Sequence, residues 1–112
     1  MIDLQAIQEF TEAEIVLLAD EKGNVKDSLN TKYDTNIALM IETAFSMCKD
    51  LSTDLTNGNL TQLLAKASEG YFVVNKLEDN SLIMVVSKNP SNLGLLLKYL
   101  SSEKNFKQKE TN

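Results

Sequence analysis

The sequence predicts an α/β domain of the α+β type: a sheet with helices on both faces, its elements in the order α-β-β-α-β-β-β-α. Three observations lead there. Two short runs, Ile15-Val-Leu-Leu-Ala19 and Leu82-Ile-Met-Val-Val86, are apolar at every position, as strands covered on both faces are. The segments 60–67, 71–77 and 82–87 follow one another across connections of hairpin length. A long apolar helix in the middle and a leucine-striped helix at the end supply covers for the two faces of such a sheet.

Residues 2–10 place Leu4, Ile7 and Phe10 among polar neighbours, a short amphipathic helix. The apolar run 15–19 ends at Asp20-Glu-Lys-Gly23-Asn24, a turn in which glycine can take positive φ, and the polar stretch 24–29 reads as an edge strand. After Asn30-Thr-Lys-Tyr-Asp34 comes the long helix, 36–51, with Asp34 or Thr35 as N-cap and Lys49 in the last turn against the negative end of the dipole. Residues 54–59, with Asn57-Gly58 inside, form a turn-rich loop. Ser68-Glu-Gly70 and Glu78-Asp-Asn-Ser81 separate the last three strands.

Asn89-Pro90-Ser91-Asn92 stops the final strand, because Pro90 lacks a donor and pushes Asn89 to extended geometry, while Ser91 or Asn92 caps the closing helix. In that helix Leu93, Leu96, Leu97 and Leu100 stand at i, i+3, i+4 and i+7, one apolar stripe. The domain is expected to span 1–100, followed by a polar, disordered tail at 101–112.

The middle helix carries more apolar surface than one buried face accounts for. Ile37, Met40, Ile41, Ala44, Phe45, Met47, Cys48 and Leu51 spread round most of its circumference, so it needs covering on two sides. A chain of 112 residues supplies one cover, and a partner is expected to supply the other.

Composition excludes several functions. A net charge of −5 provides no broad basic field for phosphate backbones or anionic lipid, so neither nucleic acid nor membrane insertion is expected. The one cysteine cannot form an internal disulfide, and Met1-Ile-Asp-Leu-Gln lacks the basic flank and apolar run of a signal peptide, which points to the cytoplasm. The chain has no His, no Arg and no Trp. That removes the imidazole base, the catalytic triad, the His metal ligand, the bidentate phosphate clamp and the arginine finger.

The remaining chemical candidates read more simply as structure. Cys48 lies in the C-terminal half of a helix, where the dipole disfavours a thiolate, and is expected to be a small core hydrophobe. Asp20, Glu21 and Asp27 lack the spacing of a calcium loop, and turn solvation explains them. No glycine-rich loop is followed by Lys and Ser/Thr, so no phosphate cradle is expected. No catalytic residue, metal or cofactor is assigned.

Element order and residues together resemble the roadblock/dynein light chain family. The matching pieces are Glu14-Ile-Val-Leu-Leu-Ala-Asp-Glu-Lys-Gly23, the apolar middle helix, the hairpin 71–87 and Asn92-Leu-Gly-Leu-Leu-Leu-Lys-Tyr-Leu100. The resemblance implies a five-stranded antiparallel sheet with the long helix on one face, and a dimer whose two long helices pack together and whose sheets join edge to edge through the third strand, here 60–67. Ile37, Ile41, Ala44, Phe45, Cys48, Leu60 and Leu64 are the expected interface residues, with a second copy or a sister roadblock subunit as the other half. It also implies scaffolding without enzymatic activity: such domains serve as platforms for small Ras-like GTPases, and some bacterial relatives activate GTP hydrolysis. Without Arg, this chain would do so only by ordering the GTPase's own catalytic residues.

Two rival readings stand beside it. A small-molecule sensor of PAS-like or GAF-like type also uses a helix-flanked antiparallel sheet, but needs polar groups converging in an apolar pocket. An enzyme working by Lys or carboxylate chemistry needs a pair that no spacing in the chain singles out.

Overall fold

The computed structural model describes residues 2–105. Its elements are α1 (Leu4–Thr11), β1 (Ile15–Ala19), β2 (Val25–Leu29), α2 (Asp34–Asp54), β3 (Gln62–Ala67), β4 (Gly70–Lys76), β5 (Leu82–Ser87) and α3 (Leu93–Leu100), with 3-10 turns at Pro90–Asn92 and Glu103–Asn105. The order is the one expected, and the strands form one antiparallel sheet, β2-β1-β5-β4-β3. The strands apolar throughout, β1 and β5, lie side by side near the middle of that sheet, while polar β2 forms one edge and β3 the other.

Each face of the sheet carries its own core. Leu17, Ala19, Val74, Leu82 and Met84 meet Ala38, Ile41 and Phe45 of α2 on one face. Val16, Leu18, Tyr71, Val73, Ile83 and Val85 meet Leu4 and Ile7 of α1 and Leu96, Tyr99 and Leu100 of α3 on the other. Alternate residues of β1 and β5 divide between the two clusters, the period-2 geometry that their unbroken apolar runs anticipate.

Helix ends depart from expectation in instructive ways. Asp3 caps α1 by accepting from the Ala6 N–H at 3.1 Å, and Glu12 closes it in the left-handed region. Thr11, not Phe10, completes the inward face of α1; its hydroxyl donates to the Ile7 carbonyl at 2.7 Å, which satisfies the polar group inside the core. The cap of α2 is Tyr33, with no side-chain cap bond, while Asp34 is the first helical residue. Its carboxylate accepts from the Ser28 hydroxyl at 3.0 Å, tying helix to β2, and favours the positive end of the dipole. α2 runs to Asp54, so Lys49 falls short of the last turn, which holds no basic residue. Asn92 precedes α3 without capping it, its amide donating instead across to Glu12 at 3.1 Å.

Two details fix the hairpins and the end of the chain. Gly23 has φ +85°, and a Cβ there would stand 2.9 Å from Leu39 Cδ2, so the β1–β2 turn needs glycine both for conformation and for the approach of α2. Buried Asn75 receives Gln62 Nε2 at 2.7 Å and donates to the Leu100 carbonyl at 2.8 Å, which joins β3, β4 and the end of α3. Within the tail expected to be disordered, Glu103–Asn105 form a turn. There the Asn105 amide donates to the Tyr99 carbonyl at 2.8 Å, and the Tyr99 hydroxyl donates to the Asn105 carbonyl at 3.1 Å. Residues 106–112 of that tail lie outside the described residues.

Candidate functional site

The site builds from α2. Ile41 and Phe45 are 6% and 4% exposed and pack on the sheet of their own chain. Ile37 and Cys48 are half-buried at the margin of that contact, so Cys48 is a boundary residue rather than a core one. Ala44 is exposed. Beside the buried arc runs a second one, Met40, Ala44, Met47, Leu51 and Leu55, at i, i+4, i+7, i+11 and i+15, one stripe on a 3.6-residue period. Met40 and Met47 are 69% and 68% exposed, and Leu51 and Leu55 are exposed as well. An apolar stripe of this length turned to water is a candidate surface for contact with another chain.

The sheet face under α2 adds a second apolar surface. The contacts of α2 are chiefly with β1, β2 and β5. Farther along the same face, Ile15, Val86, Phe72 and Ala65 form a cross-strand row through β1, β5, β4 and β3. Phe72 is exposed and the other three are half-buried, so α2 leaves this row incompletely covered.

β3 supplies a third feature, an open edge. β4 is its one neighbour in the sheet of described residues. The Lys76 N–H donates to the Thr61 carbonyl at 3.0 Å, which makes Thr61 and Lys76 a hydrogen-bonded pair. Alternation along an antiparallel ladder then turns the backbone groups of Gln62, Leu64 and Lys66 away from β4, toward the open edge. Of the expected interface residues on this strand and its approach, Leu60 is half-buried against the α2 core and Leu64 is exposed. The side chain of Leu64, opposite Val73, lies on the α1/α3 face rather than beside the α2 stripe. Leu64 therefore belongs to the edge through its backbone, and Ile41 and Phe45 belong to the fold. Met40, Met47, Leu51, Leu55 and Phe72 form the outward surface. Sequence reasoning places Met40, Met47 and Leu51 on an apolar helix without assigning them to the seam, and their own i, i+7, i+11 spacing is the signal that could have done so.

The charged groups of the sheet's loop end are structural. Asp20 accepts from the N–H groups of Lys22 and Asn24 at 2.9 and 2.8 Å and from the Asn24 amide at 3.1 Å. The Asn24 backbone bond, foremost, holds its carboxyl below the ordinary carboxylate value. Asp79 is lowered likewise, first by the Ser81 N–H at 2.9 Å and then by Lys26 at 3.3 Å. Among the described residues no group of three or more His, Cys, Asp or Glu side chains is placed to hold a metal ion. No helix among them is long and apolar enough to cross a membrane.

A five-stranded antiparallel sheet with α2 on one face and α1 and α3 on the other is the architecture of a class of small α/β domains. The chain belongs to the Roadblock/LC7 domain family, whose sequence profile matches residues 2–87. Solved structures agree on the fold. MglB of Myxococcus xanthus superposes with a TM-score of 0.75 at 13% identity, over 88% of this chain and 85% of that one. The gliding protein MglB of Thermus thermophilus gives 0.76 at 16% identity over 91% and 82%. A Roadblock/LC7 domain from Streptomyces avermitilis gives 0.70 at 11% identity over 88% and 93%. No curated protein sequence matches the chain significantly.

Proposed function

We propose that this chain is a non-enzymatic, homodimeric platform that binds a small Ras-like GTPase in the cytoplasm. The observation that carries the reading is the outward stripe Met40, Ala44, Met47, Leu51 and Leu55, together with the incompletely covered Phe72 row on the sheet face that α2 packs against and the unpaired β3 edge where that row ends. Two copies related by a two-fold axis would pack these stripes against each other, with Ile37 and Cys48 at the rim, and pair β3 with β3 through the backbone of Gln62, Leu64 and Lys66. Leu60 would border the seam. Family membership and the MglB proteins among the structural neighbours support a GTPase as the partner. With no arginine to insert, the platform would localise the GTPase or order its own catalytic residues.

Light scattering of the purified chain at micromolar concentration tests the premise. The expected mass is twice 12.5 kDa. A clean monomer would refute the homodimer and direct attention to a sister subunit. Purified Ras-like GTPases from the source organism, loaded with a non-hydrolysable GTP analogue, test the partner; failure of every one to bind at 100 micromolar (a working ceiling of about −5.5 kcal/mol) would refute the GTPase reading.

A further inference from the structure

We infer that the groove between the start of α1, β2 and the β4–β5 turn docks a basic, amphipathic peptide segment of a partner protein, which sets an apolar side chain on its floor and Lys or Arg against Asp27 and Glu78. The inference goes beyond the platform reading and does not depend on it.

The groove lies on the α1/α3 side of the sheet, at the β2 edge. Two clefts of about 670 and 420 Å³ form it and share Ile2 and Asp27. Together they reach the upper size of a small-molecule pocket, about 1,000 Å³, so the space suits a run of residues rather than a single small ion. The floor is apolar. Leu18 and Leu77 close the core beneath it, and Ile2 and Leu29 stand half-buried at its sides. An apolar side chain laid on this floor is removed from water on its inner side.

The walls are charged. Among the described residues Lys26 is the one cation lining the groove, and its Nζ is already engaged, donating to Asp79 at 3.3 Å and to the Ser81 hydroxyl at 3.0 Å. Five carboxylates line it, those of Asp3, Asp27, Glu78, Asp79 and Glu103. Of these, Asp27 and Glu78 have no ion pair among the described residues. The Asp27 carboxylate is held in place by the Ser28 N–H at 2.9 Å, and the backbone at Glu78 is held by its own N–H, which donates to Glu103 at 3.2 Å. Groups fixed in this way lose little freedom when a cation arrives.

Charge complementarity selects the occupant. With five carboxylates against one lysine, the groove carries a local charge of −4. Other clefts are mixed: Glu12 stands against Lys98 beside Phe10 and Leu95, and Glu21 and Glu42 stand against Lys22, Lys49 and Lys76 beside α2. A second copy of the chain would bring −5 of its own and meet like charge. A segment with Lys or Arg on one side and an apolar residue on the other matches both the walls and the floor.

The test titrates the full chain with three labelled, end-capped peptides, Lys-Leu-Lys-Leu-Lys, Lys-Ser-Lys-Ser-Lys and Glu-Leu-Glu-Leu-Glu, by fluorescence anisotropy, and maps amide shifts by NMR. The Lys-Leu peptide is expected to bind about tenfold more tightly than the Lys-Ser peptide, with shifts centred on 26–29 and 77–81, and the acidic peptide is expected not to bind. Asp27→Asn combined with Glu78→Gln is expected to weaken that binding about tenfold, with mass and thermal midpoint unchanged. Glu21→Gln combined with Glu42→Gln removes the same charge beside α2 and is expected to leave binding unchanged. Equal losses in the two double variants would reduce the effect to net charge and overturn the inference. No binding of the Lys-Leu peptide, equal binding of the Lys-Ser peptide, or shifts centred elsewhere would overturn it too. If spermine binds as tightly, with the same dependence on Asp27 and Glu78, the site takes small organic cations and not a peptide segment. A changed mass in the Asp27 and Glu78 double variant would make the groove a contact between copies and overturn the inference.

Discussion

Replacing Met47 with Ala separates the proposed seam from the fold, because this exposed side chain adds little to the core of its own chain and would be covered only in the proposed dimer. Complete burial of a methionine is worth about 1.5–3 kcal/mol. Met47 is 68% exposed in the single chain, so covering it yields about 1–2 kcal/mol per protomer and about 2–4 kcal/mol across a two-fold seam. At about 1.4 kcal/mol per decade, the dimer Kd should rise roughly 30- to 1,000-fold. Sedimentation equilibrium over a concentration series reads that shift directly. Urea unfolding of the variant below its new Kd should give the stability of the wild-type monomer. An unchanged Kd would refute the assignment of the outward stripe, and a loss of monomer stability by several kcal/mol (~3–5) would show that Met47 belongs to the core after all.

The complementary change, Phe45→Ala, should cost about 3–5 kcal/mol of folding stability by opening a cavity between α2 and the sheet, measured by urea unfolding; a variant that loses dimer but not monomer stability would reverse this division of α2. Asn75→Ala removes the partner of both Gln62 and the Leu100 carbonyl and should cost about 1–3 kcal/mol, with faster amide exchange at the end of α3, where Ser101 is bonded to Leu97. Unchanged exchange there would separate α3 from that bond. The carboxyls of Asp20 and Asp79 are held below their ordinary value of 3.8, so their stabilising bonds are fully present above that value and are lost as pH falls through the lower folded-state values. Asp79→Asn keeps an acceptor for the Ser81 N–H but cannot titrate, and should flatten the decline of stability between pH 4 and lower pH in urea titrations (~3.9 being the unfolded aspartate value); an identical pH slope would rule Asp79 out as a contributor.

Much of the architecture is legible residue by residue. Ile15–Ala19 and Leu82–Ser87 are strands covered on both faces because nearly every position is apolar. The leucines of α3 lie at helical spacing, and the sequence between the strands leaves hairpin turns and little else. The excess of apolar residues on α2 is equally visible and by itself implies two covers.

The sequence by itself determined the elements, their order, the two-sided helix and the absence of His, Arg and Trp chemistry, because composition and the periods 2 and 3.6 are local properties of the chain. Only the tertiary structure decided which of the two adjoining arcs of α2 meets the sheet. Ile41 and Phe45 are no more apolar in kind than Met47 and Leu51, and it is the path of α2 over β1, β2 and β5 that turns the first pair inward. It also set Leu64 on the α1/α3 face, since the side of a strand residue depends on its register with β4 and a shift of one residue would reverse it. Spacing alone draws Phe10 to the core, but Thr11 takes that place because its hydroxyl is satisfied within its own helix, and an aromatic ring is left at the surface.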